Sequence, residues 1–200
     1  VDAGLDPAVI DGCLRRLDVR VLDAVILTHF HADHVNGLPG ALRGREVREI
    51  LTSAVQDPLF QVGAVGDWAR AAGVAVKPLF AGDRLEWPGI TARVWWPARV
   101  LHEGSIPNNG SVVMTADVKG VHVVLLGDIE REAARAVGAA IRRDPQVPGW
   151  EVDVVKVAHH GSANIDPAVL DALPGAVAVS YTHLTLPTIS TALIPVAPAS

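Results

Sequence analysis

The run Val25-Ile26-Leu27-Thr28-His29-Phe30-His31-Ala32-Asp33-His34 decides how this chain is to be read. Val21, Leu22, Val25, Ile26 and Leu27 make an apolar stretch that reads as a buried strand, and it stops at Thr28. Three histidines and an aspartate follow within six residues. A lone histidine in a solvated turn is commonplace. This cluster, delivered by a strand to its own C-terminal end, points instead to a metal site on a rigid scaffold. In extended or turning backbone His29 and His31, two residues apart, can point to one side and share an ion. Asp33 and His34 fall past the bend, where they can hold a second. Imidazole with carboxylate suits zinc, and the oxygen content admits manganese or iron.

Outward from this run, the chain has the composition of an α/β domain. Its 200 residues can bury one full core; half are hydrophobic and a fifth charged. No window approaches the ~18 consecutive apolar residues needed to span a membrane. The single cysteine, Cys13, excludes an intrachain disulfide and reads as a buried helix residue. Net charge is −5. Arg43, Arg45 and Arg48 form one cluster, and Arg131, Arg135, Arg142 and Arg143 lie along one predicted helix. Both read as solvated faces rather than a nucleic-acid stripe. A metal-dependent nuclease can draw its positive charge from the ions instead.

In chain order, Pro7 to Leu17 has helical spacing of Val9, Ile10, Cys13, Leu14 and Leu17, with Asp6 as N-cap. Short helix 38–42, strand 47–52, helix 59–72 ended by Gly73, and strand 74–76 follow. From Leu85 to Trp96 the pattern alternates as antiparallel strands, with Trp95 and Trp96 as packing residues and His102 on the surface. Strands 111–118 and 121–127 form a hairpin around Lys119-Gly120. The second ends in Gly127-Asp128, where Asp128 either bridges two metals or caps the helix predicted over 129–142. Strand 152–157 ends in Ala158-His159-His160-Gly161-Ser162, while His122 reads as a structural histidine inside its strand. A short helix at Asp166-Pro167 and a strand over 176–179 close the ordered pattern. Acids and histidines thus arrive from three strand ends, and one shared centre explains all three.

Thr28 to His34, THFHADH, resembles the metal-binding signature of the metallo-β-lactamase superfamily. That resemblance implies a four-layer αβ/βα sandwich of two mixed sheets, an α/β fold carrying a dinuclear hydrolase site with two divalent ions, zinc or manganese. It also implies ligand roles for His29, His31, Asp33, His34 and Asp128. His159 or His160 would be a further ligand or the proton donor to the leaving group, with Asp33 orienting water as well as ligating. A strand ending in DxG precedes the motif in that family. Asp2 of Val1-Asp2-Ala3-Gly4 is therefore either a group behind the ligands or a turn-former.

Three further motifs narrow the resemblance: Asn108 to Val113 (NNGSVV), Leu125 to Glu130 (LLGDIE) and Lys156 to Ser162 (KVAHHGS). In this order they resemble the C-terminal domain of ComEC-type competence proteins, over residues 1–178. The implied function is a nuclease or phosphodiesterase domain that cuts DNA during uptake. Its partner would be the membrane channel of a parent plasma-membrane protein, with the domain itself soluble on the extracytoplasmic side. Asn108 and Asn109 stand where many relatives carry a histidine, and would orient a phosphate or fill a weak ligand position; Ser162 borders the same site. A late GHP-type histidine of the family is lacking. The chain opens without Met, as if cut within a strand. Residues 179–188 resemble one reading frame of a sequencing adapter, so 179–200, including His183, are expected not to be native. Two other readings fit the same motifs. One is a free-standing hydrolase of a thioester, lactone or RNA; the other is a metal-binding module that docks DNA without cutting it.

Overall fold

The apolar run before Thr28 does form a buried strand. The computed structural model describes residues 1–144, 151–173 and 177–179. The N-terminal half holds α1 (Pro7–Arg16), β1 (Val21–Leu22), β2 (Val25–Leu27), α2 (Ala32–Val35), α3 (Leu38–Leu42), β3 (Glu46–Val47), β4 (Glu49–Ser53), α4 (Leu59–Ala72) and β5 (Ala75–Leu79). Then come β6 (Arg84–Trp87), β7 (Ile90–Trp96), α5 (Ile106–Asn109), β8 (Val113–Val118), β9 (Val121–Leu125) and α6 (Arg131–Arg143). Last are β10 (Val154–Lys156), a 3-10 turn (Ala158–Gly161), α7 (Ala168–Asp171) and β11 (Val177–Val179).

Parallel pairs β2–β4 and β4–β5 make a three-stranded sheet, and β1 pairs in parallel with β3. The second sheet has the order β11-β10-β9-β8-β7-β6, antiparallel from β6 to β9 and parallel from β9 to β11. Side chains alternate between two buried faces in each sheet. Ile26, Leu51 and Leu79 meet Val94, Met114 and Ala116 between the sheets. On the outer face of the small sheet, Val25, Leu27 and Ile50 pack with Val35, Leu38, Val65 and Ala69. On the outer face of the large sheet, Val113, Val124 and Val155 pack with Ala134, Val137, Ile141 and Val169. Helix, sheet, sheet, helix: this is the expected four-layer sandwich, although among the described residues only the larger sheet is mixed and the small one is parallel throughout. Among the described residues, no helix is long and apolar enough to cross a membrane.

The register explains why the chemistry collects on one edge. Leu27 pairs with Thr52, and Leu125 with Lys156, so the segments leaving β2, β9 and β10 emerge at their strands' C-terminal ends. A hydrogen bond from the Val112 N–H to the Thr28 carbonyl, 2.8 Å, ties the two sheets together there.

Several local expectations need correction. α1 leaves Val9 and Leu17 more than two-thirds exposed and buries Asp11 instead. The reason is ionic: the Arg45 guanidinium, its side chain only 3% exposed, reaches Asp11 Oδ1 at 2.9 Å and the carbonyls of Val19, Gly40 and Arg43. Arg45 is therefore a buried strut between α1 and α3, not part of a solvated face. Cys13 is half-buried and free. The strand expected at 74–76 runs to Leu79 through Pro78, tolerated because β5 is an edge strand. α6 starts at Arg131 with Glu130 at its N-cap position, so Asp128 does not cap it. α4 runs as expected and ends at Gly73 in the left-handed conformation, φ 69°. Residues 180–200, including His183, lie outside the described residues.

α1 crosses α3 so closely that a Cβ on Gly40 would sit 1.9 Å from the Pro7 carbonyl oxygen. Gly40→Ala should therefore lower the unfolding free energy by about 1–3 kcal/mol, the usual cost of forcing atoms into a packed interface. Gly63→Ala, on the exposed side of α4 with open space around it, should raise it by up to about 1 kcal/mol. Urea denaturation reads both, and equal effects would refute the close crossing.

Candidate metal centre

The metal-type loop is braced by the first four residues of the chain. Asp2 adopts a left-handed φ of 56° and donates its N–H to the Ile26 carbonyl at 2.7 Å. Its Oδ1 accepts from the Thr28 N–H at 2.7 Å and its Oδ2 from the Thr28 hydroxyl at 3.0 Å. The same Oδ2 lies 3.1 Å from His34 Nδ1. Ala3 donates to the His34 carbonyl, and Gly37 donates to the Gly4 carbonyl. Gly37 is obligatory there, because a Cβ would fall 2.0 Å from the Ala3 carbonyl oxygen.

This bracing fixes the imidazoles. The Thr28 hydroxyl gives its proton to Asp2, so its oxygen is left to accept from His29 Nδ1–H at 3.1 Å. That tautomer leaves the lone pair of His29 on Nε2, facing His31 Nδ1 at 3.1 Å. Asp2 Oδ2 lies against Nδ1 of His34, and the ring's Nε2 is directed at Asp128 Oδ2 at 3.3 Å and Asp33 Oδ2 at 3.5 Å. His160 Nε2 approaches the same two oxygens, at 3.4 Å from Asp128 and 3.6 Å from Asp33.

Asp128 is held from the opposite sheet. Its N–H donates to Ser111 Oγ at 3.0 Å, and Lys156 Nζ lies 3.3 Å from its Oδ1, leaving Oδ2 for the histidines. Gly127 precedes it at φ 56°, where a Cβ would fall 2.6 Å from that of Ser111.

Two groups of possible ligand atoms result: His29, His34 and Asp128, all buried, and Asp33, His34 and His160 nearer the surface. Within each group the atoms lie within 4.8 Å of one another. The donors, imidazole nitrogen and carboxylate oxygen, are those of zinc or manganese. Neither ring nitrogen of buried His34 completes a hydrogen bond among the described residues. A divalent cation fits these residues.

The electrostatics agree. Burial disfavours charge on His34, yet the facing carboxylates of Asp128 and Asp2 outweigh it and raise its pKa to about 10. Burial, with His34 beside it, lowers His29 to about 3, so His29 is neutral and offers a lone pair. Burial would raise Asp128 and Asp2, but His34 overrides it and holds both below the usual carboxylate range, with Lys156 also acting on Asp128.

The expected site residues fall in different places. His29, Asp33, His34, Asp128 and His160 converge, with His31 against His29. The expected neighbours do lie together, His29 Nε2 against His31 Nδ1 at 3.1 Å and Asp33 with His34 in one group, and His34 also falls in the group of His29 and Asp128. Of the histidine pair, His160 faces the carboxylates; His159 Nδ1 instead faces Glu130 Oε1 at 3.8 Å. Asn108 donates to Glu130 Oε1 and Asn109 to Glu132 Oε2, so both amides lie among carboxylates of the large-sheet side. Ser162 ends the 3-10 turn, its hydroxyl accepting from the Asn164 N–H. Lys156, Ser111 and Glu130 were not anticipated as site residues. Lys156 was detectable as the one charge at the end of the apolar strand 154–157.

In the metal-free protein His34 carries a proton that a divalent ion must displace. Ion uptake near pH 7 should therefore release about one proton per His34. Affinity should rise about tenfold per pH unit below the His34 pKa of about 10. Calorimetry in buffers of different ionisation enthalpy measures this, and uptake without proton release would contradict the charge state of His34.

Comparison with known proteins bears on the fold. No curated protein matches by sequence. Among solved structures, a metallo-beta-lactamase of Cronobacter sakazakii with a HARLDQ motif is similar at TM-score 0.55 and 17% identity, over 86% of this chain and 77% of that one. A variant of the CmlA beta-hydroxylase is similar at TM-score 0.50 and 15% identity, over 77% of this chain but only 29% of that one. The family model described as the metallo-beta-lactamase superfamily matches residues 1–183. The chain belongs to the metallo-beta-lactamase superfamily, whose members are in general metal-dependent hydrolases.

Proposed function

We propose that this chain is a two-ion phosphodiesterase, the DNA-cutting domain of a ComEC-like competence protein that works on DNA during uptake. The observation that carries the reading is the pair of adjoining donor groups sharing His34, built from both sheets. The choice of DNA rests on the order of the NNGS, GD and HHGS motifs with THFHADH. The membrane channel of the parent protein would then be its partner, and the domain would lie on the extracytoplasmic side.

His29 and Asp128 would hold one ion and Asp33, His34 and His160 the other, since His34, its Nδ1 against Asp2, has one nitrogen, Nε2, to give to a single ion. Divalent ions held by these residues would supply Lewis acidity for activating water and positive charge for the oxygens of a phosphodiester. The chain's own residues set the geometry for this chemistry. Lys156 fixes one oxygen of Asp128 and leaves the other to face both groups. Asp33, its side chain 38% exposed, is the carboxylate most open to solvent and would orient the attacking water. The overall charge of −5 offers phosphate no general attraction, so substrate affinity would come from the bound cations and fall with salt.

Purified protein supplied with manganese or zinc should cut end-labelled single- or double-stranded DNA and hydrolyse bis(p-nitrophenyl) phosphate. Asp33→Ala or Asp128→Ala should each reduce turnover by about 10²–10³-fold or more with the circular dichroism spectrum retained. Undiminished turnover in either variant would sink the site assignment. Hydrolysis of a thioester or lactone with DNA untouched would overturn the substrate.

A further inference from the structure

We infer that Glu130 is a positioning residue: its buried carboxylate faces the His159 ring and sets where that ring lies, and so aims His160 at Asp33 and Asp128. The inference rests on the metal-centre reading above and extends it to a residue outside both donor groups. It starts from the backbone. His159 (φ 47°, ψ 50°) and His160 (φ 52°, ψ 23°) are consecutive residues in the left-handed region, which side-chain-bearing residues rarely occupy. Such a pair persists only where its surroundings over-determine it.

Two backbone bonds help: the His159 N–H donates to the Gly127 carbonyl at 3.2 Å and the Ser162 N–H to the His159 carbonyl at 2.8 Å. Neither fixes the His159 ring. Its Nδ1 is buried and completes no hydrogen bond among the described residues, yet faces Glu130 Oε1 at 3.8 Å. Glu130 is 7% exposed and pinned on all sides. Asn108 Nδ2 donates to its Oε1 at 2.9 Å, the Ser105 N–H donates to its Oε2 at 3.1 Å, and its own N–H donates to Asn109 Oδ1 at 3.0 Å.

A carboxylate so held cannot follow the histidine, so the histidine must follow it. Drawing His159 down onto Glu130 leaves its neighbour His160 projecting the other way, with Nε2 at 3.4 Å from Asp128 Oδ2. This gives the Asn108 amide a purpose as well. It anchors the carboxylate that sets the turn.

The test uses Glu130→Gln, His159→Gln, the double variant, and Glu132→Gln as a control whose carboxylate accepts from Asn109. Zinc titration by calorimetry, cobalt absorption spectra and thermal melting are read on each. The wild type should take two equivalents. Glu130→Gln and His159→Gln should each weaken the second by about 10–100-fold, the usual effect of losing an outer partner of a ligand, with the first equivalent and melting unchanged. The double variant should be no weaker than either single one, and Glu132→Gln should match the wild type. An intact second equivalent in Glu130→Gln, or additive losses in the double variant, would overturn the inference. Loss of both equivalents together with a lowered melting temperature would also overturn it, in favour of a merely structural role. A wild type that binds no metal would remove the metal-centre reading first, which separates the two failures.

Discussion

One imidazole, that of His34, lies within 3.5 Å of carboxylates from three separate parts of the chain: Asp2, Asp33 and Asp128. Like charges brought together away from water repel strongly and are costly to desolvate, so this arrangement cannot stand without positive charge inside it. His34 supplies some of that charge by holding its proton, and Lys156 supplies more beside Asp128. A divalent cation bound where the donors converge would supply more still. The site is thus a concentration of negative charge balanced in part by His34 and Lys156 and suited to a cation.

The fold's task is to hold these carboxylates against their own repulsion. Asp2 enters through a segment hydrogen-bonded to β2, to the His34 carbonyl and to Gly37, so the first residues of the chain are part of the centre's scaffold. Asp128 enters from the other sheet, locked by Ser111 and by a glycine that alone fits against it. The Val112–Thr28 hydrogen bond joins the two edges between them. Each carboxylate is therefore positioned by a different layer of the sandwich. Moving one sheet against the other would open both donor groups at once.

Much of this was legible in the chain. The apolar strand that stops at Thr28, the GD after a buried strand and the HHGS after another are local patterns, and their residues converge because parallel strands place their ends on one edge. What could not be read was pairing in space. No spacing rule says that His34 meets carboxylates from three parts of the chain, which depends on how the sheets pack, or that His160 and not its neighbour turns toward Asp128, which depends on two positive φ angles that no composition signals. α1 forms as its spacing and its Asp6 cap indicate, but which side packs is decided by a buried ion pair between Asp11 and Arg45 that its apolar positions do not reveal. Long-range ion pairs leave no periodicity. The partners of Glu130 leave none either, since Ser105, Asn108 and Asn109 all lie more than twenty residues away.

The placing of strained backbone follows the same logic. Among the described residues, five other than glycine have positive φ: Asp2, Asp18, Lys119, His159 and His160. Lys119 lies in the β8–β9 hairpin turn and Asp18 just beyond the end of α1, where such angles are ordinary. The other three are at the candidate centre, where hydrogen bonds to neighbouring segments tie down Asp2 and His159. A strained residue kept where a relaxed one would serve is costly in free energy, and evolution retains it when direction matters more than stability. At Asp2 the angle lets one carboxylate reach both Thr28 and His34; at His159 and His160 it splits two adjacent imidazoles between two carboxylate partners. The chain accepts strain at the points where a side chain must be aimed, and nearly everywhere else among the described residues its backbone is relaxed.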